Sequence, residues 1–200
     1  MESSKQLRPG RHRLSRDEVR GNQRERIFDA LEAEMSVRGY AGTSVADIVR
    51  NAGVSRQTFY ELFDSKQSCF LASYERRQDS LIEAIFSTPV ADAPIDRFAS
   101  FLGAYLSVIA SRPETSKLYL IGVYSAGPEA VAIKLDKQKR FVDGVADVFD
   151  ARTDAARFAC RTLVGAISTL VVDALLADEV HSIENLHGPL VDVARKMFTA

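Results

Sequence analysis

Arg56, Gln57, Thr58 and Tyr60 fall within five residues, and all four side chains can pair with base edges or phosphates. Phe59 stands among them, with Leu62 and Phe63 behind it. A short helix over this stretch buries those three and leaves Arg56, Gln57, Thr58, Tyr60 and Glu61 pointing outward. An exposed helix start of this composition suits a major groove. It is chemistry of recognition rather than of bond-making, and nothing elsewhere competes with it. The three histidines are His12 and the pair His181 and His187, six residues apart and on different faces of any helix, with no cysteine or clustered acid beside them. Glycine-rich phosphate loops, a serine elbow and a Cys/His nucleophile setting are absent. We therefore expect no catalytic residue, no metal site and no cofactor.

The residues before and after must position that helix. Ser44 can cap a first short helix, with Asp47 three positions on as a short-armed capping-box acid. Val45, Ile48, Val49 and Ala52 then repeat at helical spacing, and Gly53 follows where a left-handed residue is cheapest. Val54 plugs the corner and Ser55 caps the second helix. Asp64 and Gln67 can form the next cap, placing Lys66 in the first turn of a third helix. A cation there opposes the helix dipole, a penalty that a nearby phosphate would reverse. Helix, glycine turn, helix is also common in all-α proteins that bind no DNA.

Several local strings, in order, make the pattern specific. Gly39-Tyr40 before Thr43-Ser44, Ala52-Gly53-Val54-Ser55, Thr58-Phe59-Tyr60 and Phe63-Asp64-Ser65-Lys66 resemble the DNA-binding domain of the TetR family of bacterial regulators. The likeness covers about the first 70 to 75 residues. It implies an all-α homodimer of about nine helices: an N-terminal three-helix helix-turn-helix domain, then a larger helical domain with a small-molecule pocket, released from operator DNA when ligand binds. By the same resemblance Thr43 or Ser44, Tyr60 and Lys66 touch phosphates, while Arg56, Gln57 and Thr58, following the cap Ser55, face bases. Many relatives carry a small residue where this chain has Gln57, whose amide suits adenine.

Whole-chain properties agree. Formal net charge is −1, which argues against a general nucleic-acid coat. Its distribution is uneven: residues 1–77 hold 14 Lys+Arg against 11 Asp+Glu, and the remainder 12 against 16. A mildly basic front and acidic back fit one DNA-facing end. Cys69 and Cys160 sit in helical patterns far apart, as reduced thiols would in a cytoplasmic protein. The longest apolar run, Leu163 to Ala177, is fifteen residues and contains Ser168, Thr169 and Asp173, short of a span of about 20. No apolar export segment lies within Met1 to Arg26, so we expect no membrane partner.

Taken in order, residues 1–14 read as a basic disordered arm, either laid along DNA or merely solubilising. Residues 15–66 read as the helix-turn-helix domain. Its first helix starts at Ser15 and ends at Gly39, with Arg20, Arg24 and Arg26 either reaching phosphates or facing solvent. Residues 67–200 read as the effector-binding and dimerisation domain. Helix four runs from Lys66 to about Phe86, burying Tyr74, Leu81 and Ile85, with Glu75 to Asp79 at its middle. Further helices are expected over Pro94–Ser111, Glu114–Ala126 and Glu129–Asp150, the last polar on the side of Lys134, Asp136, Lys137 and Arg140. Asp154–Ala177 and Ser182–Phe198, kinked at Gly188-Pro189, complete the set.

Two features of this back half carry functional readings. Small residues in Asp154–Ala177 suit either a monomer core or a two-fold interface with Ser182–Phe198. The resemblance favours the dimer, and two copies roughly 34 Å apart would read a palindrome that one short helix cannot. The aromatic set including Phe98, Phe101, Phe141 and Phe158 either fills a core or lines a cavity for a small, mostly apolar effector, with Tyr105, Tyr119 and Tyr124 as its polar handles. The resulting expectation is a ligand-responsive repressor on double-stranded operator DNA. An activator of the same fold, or a helical ligand- or partner-binding protein without a DNA role, is the alternative.

Overall fold

Ser15 sets the start of the first helix through a reciprocal cap. Its hydroxyl accepts from the Glu18 N–H at 3.2 Å, and the Glu18 carboxylate accepts from the Ser15 N–H at 2.6 Å. A computed structural model describes residues 15–86 and 92–198, and the expected arm at 1–14 lies outside them. Helix α1 then runs over Arg16–Gly42, but Gly39 within it has φ +69° and ψ 173°. That backbone is open only to glycine at low cost, and it ends the regular helix where expected while a last turn continues beyond it.

α2 (Val45–Ala52) and α3 (Arg56–Leu62) follow, and their caps match the sequence. Ser44 and Asp47 form a full capping box, and Gly53 adopts the left-handed conformation (φ 62°, ψ 39°). Ser55 accepts from the Thr58 N–H at 3.0 Å. The α4 (Lys66–Phe86) start differs from the expected Asp64–Gln67 cap. Ser65 and Ser68 exchange side-chain and backbone hydrogen bonds at 2.9 and 3.0 Å instead. Gln67 is drawn away by a tertiary acceptor, donating to the Ala126 carbonyl at 3.2 Å and to Glu129.

The Asp47 carboxyl is held well below its ordinary value of 3.8, chiefly by the Ser44 hydroxyl, then by Arg50 and the Ser44 N–H. A folded-state pKa below the unfolded one contributes stability above the unfolded value that disappears as pH falls through the folded one. Urea unfolding should therefore show Asp47→Asn less stable than the native chain at neutral pH, with the gap closing steadily below pH 3.8. A gap independent of pH would remove the carboxylate from that role.

The remaining helices are α5 (Pro94–Ser111), α6 (Pro113–Leu120), α7 (Pro128–Val148), α8 (Asp154–Leu176), α9 (Val180–Asn185) and α10 (His187–Phe198). The nine expected helical segments are thus present, two of them interrupted. The sixth stops at Leu120 and ends as a 3-10 turn over Gly122–Ala126. The ninth is two helices, breaking at Leu186 rather than at Gly188-Pro189. Pro189 explains the offset: it has no N–H to give the Asn185 carbonyl, and its ring would clash there, so the break falls upstream.

Two large buried clusters hold these helices, and a small third joins Ala146, Ala151 and Cys160. The front one joins Phe28, Leu31, Ile48, Phe59 and Phe70 to Leu118, Tyr119 and Val123, so α6 and the 3-10 turn complete a core begun by α1–α4. The rear one packs Phe98, Leu102 and Leu106 of α5 against Leu163, Val171 and Leu175 of α8, with Ile183 and Leu190. Helix α8 corrects one expectation. At 23 residues it is long and apolar enough, by length and composition, to cross a membrane, because the helix extends beyond the fifteen-residue run. One face of it, through Cys160, Leu163, Ile167, Val171 and Leu175, is buried in the protein.

Candidate nucleic-acid interface and interior cavity

Phe59 is fully buried, and that anchor decides what α3 presents. Its neighbours Arg56, Gln57 and Tyr60 are exposed, and Thr58 is half-buried. Arg56 makes no side-chain hydrogen bond or ion pair among the described residues. Gln57 donates its amide N–H to the Glu61 carboxylate at 2.9 Å. Because a carboxylate only accepts, the Gln57 carbonyl must point away from it and toward whatever α3 meets. The Thr58 hydroxyl is 2.9 Å from that of Ser55, within the cap. Tyr60 stands edge-on to Phe59 with its ring half exposed.

The flanking residues divide. Thr43 is buried, and its hydroxyl donates to the Gly39 carbonyl at 2.9 Å, so of Thr43 and Ser44 only Ser44 reaches the surface. Lys66 lies over the Tyr40 ring and donates to the carbonyls of Tyr40 and Thr43 at 2.6 and 2.8 Å. Burial lowers its pKa. An ammonium has three protons to give, and one remains. The arginines of α1 are spent inside the head. Arg26 caps α2 through the carbonyls of Ala52 and Gly53, Arg24 lies over the rings of Phe28 and Phe63, and Arg20 reaches the Glu61 carbonyl. Sequence could not show this, because all of these partners except Phe28 come from other elements.

Behind the head, α4 is tied to α1 chiefly by Arg77, with Arg76 also donating to Glu25 at 3.1 Å. Arg77 donates to Glu25, Asp29 and Glu32 at 3.2, 2.7 and 2.5 Å. Burial disfavours its charge, but the hydrogen bond and charge of Glu32 more than offset this and its pKa is raised. Tyr119 completes the group, donating to Glu32 at 3.1 Å with Ser73 at 2.6 Å.

A cavity of about 120 Å³ lies among α4, α5, α7 and α8. Leu81, Phe98, Phe101, Leu102, Phe141 and Val145 form much of its wall. Tyr105 lines it, with its hydroxyl pKa pushed up to about 12 by burial. The other two expected handles do not. Tyr119 is buried in the front core, holding Ser73 and Glu32. Tyr124 is 59% exposed, on a neighbouring hollow beneath the Lys134 ammonium. The break at Ile121 turns Tyr124 outward, a deviation that helical spacing cannot anticipate. Tyr74, Gln78, Lys134 and Lys137 line the cavity and were not foreseen as ligand contacts. Gln78 belongs to the stripe Tyr74, Gln78, Leu81, Ile85, whose spacing was visible but obscured by the charged residues around it. Lys134 and Lys137, expected only as part of the polar side of α7, thus face the cavity.

Phe158 neither fills a core nor lines the cavity, the two roles expected for the aromatic set. It is 66% exposed on the outer face of α8, with Leu170 and Leu176; Val193 and Met197 are exposed on α10.

Residues 27–73 match the family described as bacterial regulatory proteins, tetR family. The match places the front of the chain, from within α1 into α4, with the tetR-family regulators. Among curated TetR-type relatives, the transcriptional regulator AlkX of Mycobacterium tuberculosis is 30% identical over 88 residues, 44% of this chain and 41% of that protein. The transcriptional activator FasR of Mycolicibacterium smegmatis is 34% identical over 74 residues, 37% of this chain and 32% of that one. The chain therefore aligns with about a third to two-fifths of these relatives' length. Solved structures extend the likeness of fold to most of the molecule. The fatty acid degradation regulator FadR of Bacillus halodurans superposes with TM-score 0.75 at 16% identity, over 84% of this chain and 96% of that one. FadR of Bacillus subtilis in complex with stearoyl-CoA gives 0.71 at 15% identity, over 87% and 97%.

Proposed function

We propose that this protein is a cytoplasmic, ligand-responsive transcriptional repressor. It acts as a homodimer on a palindromic double-stranded operator and catalyses no reaction. The observation that carries this is the α3 surface: Phe59 is locked into the core while Arg56, Gln57 and Tyr60 are exposed beside it, with Arg56 making no side-chain hydrogen bond or ion pair among the described residues. Residues 15–66 form the reading head, and 67–200 supply the effector cavity and the dimer face. Arg56 and the outward carbonyl of Gln57 read bases, with Thr58 beside them. Ser44, Tyr60 and the remaining proton of Lys66 hold phosphates.

The effector is a small, mostly apolar molecule in the cavity lined by Tyr105. The likeness to a fold-neighbour solved with stearoyl-CoA supports an apolar ligand in this class of fold. The mechanism is a two-state dimer whose heads fit successive major grooves only when the cavity is empty. Differential affinity of the effector for the two forms sets the response. An activator would use the same contacts and differ in where its site lies relative to a promoter.

Selection from a random DNA pool tests the reading directly. The expected winner is palindromic, with half-sites about one helical turn apart. No enrichment, or an asymmetric winner, would refute it. On the selected site, Arg56→Ala should cost about 1–3 kcal/mol and relax preference at one position of each half-site. Lys66→Ala should weaken all sequences alike and lower the salt slope by about one unit per head. An unchanged salt slope would take Lys66 off the phosphate.

A further inference from the structure

The cavity is not uniformly apolar, and its polarity has a direction. Along α7 the lining residues are Lys134, Lys137, Gln138, Phe141, Gly144, Val145 and Val148, at helical spacing on one stripe. The stripe is cationic at its start and apolar from Phe141 onward. Among the described residues, no acidic one lines the cavity. The Lys137 ammonium is matched from outside, by Asp79 of α4 at 2.9 Å, and Asp79 is shared with Arg140 at 3.1 Å. The Asp79 side chain is about half exposed, so it can turn to water while keeping Arg140. Lys134 has no carboxylate within ion-pair distance among the described residues. Its ammonium rests 5.5 Å from the Tyr124 ring, between the cavity and the neighbouring hollow. Gln78 of α4 is buried and also lines the cavity, and Tyr74 and Tyr105 add hydroxyls.

We propose that the ligand is an apolar monoanion, a carboxylate on a ring or short hydrocarbon chain, whose head group takes the place of Asp79 on Lys137 and reaches Lys134. This rests on the effector reading of the cavity given above. The apolar body lies along Phe141 and Val145, against Phe98 and Leu102. A neutral ligand would leave Lys134 without a counter-charge, and a cationic one would meet two ammoniums. Size limits the body as well. Apolar cavities of about 150 Å³ hold a single benzene ring, so a space of about 120 Å³ takes a group of that order, with any longer tail leaving by the mouth. Because Asp79 belongs to α4 and its cationic partners to α7, the incoming anion also competes with a tie between these two helices.

Titration calorimetry of the full chain without DNA tests this with hexanoate, octanoate and decanoate, each against the 1-alkanol of equal length. In a cavity with no anion site the alkanol binds tighter, because a carboxylate loses more hydration on burial. The expected result is the reverse order, with each carboxylate at least about tenfold tighter than its alkanol. Lys134→Met and Lys137→Met should each erase most of that preference while alkanol binding persists, and circular dichroism checks that both fold. Asp79→Asn keeps both lysines and removes the competitor, so it should tighten carboxylate binding severalfold and leave alkanol binding unchanged. Alkanols binding as tightly as carboxylates, no saturable carboxylate binding, or weaker carboxylate binding in Asp79→Asn would each overturn the proposal. Binding is read here without operator, so a failed DNA selection and a failed carboxylate preference are separate results.

Discussion

Phe158→Asp combined with Leu176→Asp will yield a folded monomer whose operator affinity is lower by about a thousandfold, within the range by which joining two weak binding modules raises avidity. Both side chains are about two-thirds exposed, and they lie eighteen residues, five full helical turns, apart on α8. They therefore share one face, with Thr162, Ala166, Thr169 and Asp173 between them. Val193 and Met197 present a matching pair on α10. Large apolar side chains exposed together on adjacent helices mark a contact surface, and small residues between them let a second helix approach closely. The opposite face of α8 holds the rear core, so aspartate on the outer face leaves folding intact. Sedimentation would give the mass, and anisotropy with the selected operator the affinity. A double variant that stays dimeric, or a monomer that binds as tightly as the native chain, would refute this use of the surface.

The second large effect is expected at Arg77. Arg77→Met should lower folding stability by about 3 kcal/mol, the lower end of the range for breaking a buried ion pair by removing one partner. Glu32 is the reason. Its side chain is only 12% exposed, and without Arg77 its carboxylate keeps just the Tyr119 hydroxyl. Glu25 and Asp29 are more accessible and add little once water can reach them. Arg77→Lys should recover only part of the loss, since a point ammonium cannot span three carboxylates as a planar guanidinium does. Glu32→Gln in the Arg77→Met background should restore stability by removing the stranded charge. Urea denaturation of the four proteins measures all of this. A double variant no more stable than Arg77→Met alone would mean that the loss lies in packing, not in charge. The same contact joins α1 of the reading head to α4, so its weakening should also blunt any response of operator affinity to ligand.

The reading head was legible in the sequence because its determinants are local. A capping pair such as Ser44–Asp47, a left-handed glycine such as Gly53 and a Phe59 anchored among polar neighbours act over three or four residues, and each forms where it was expected. Helix limits in the back half were legible for the same reason, up to the breaks at Ile121 and Leu186. What the tertiary structure alone decided is where long polar side chains spend their bonds. Arg26, Lys66 and Gln67 find backbone carbonyls of other helices, and Arg77 gathers three carboxylates from α1. Tyr105 and Tyr119 look alike in sequence, yet one lines a cavity and the other sits in the front core. Phe158 and Phe98 are equally apolar, yet one is exposed on α8 and the other is buried in the rear core. Spacing specifies which residues share a face of one helix, whereas the angle and depth at which helices cross specify what that face meets. That second quantity depends on contacts far apart along the chain, so no local pattern could contain it.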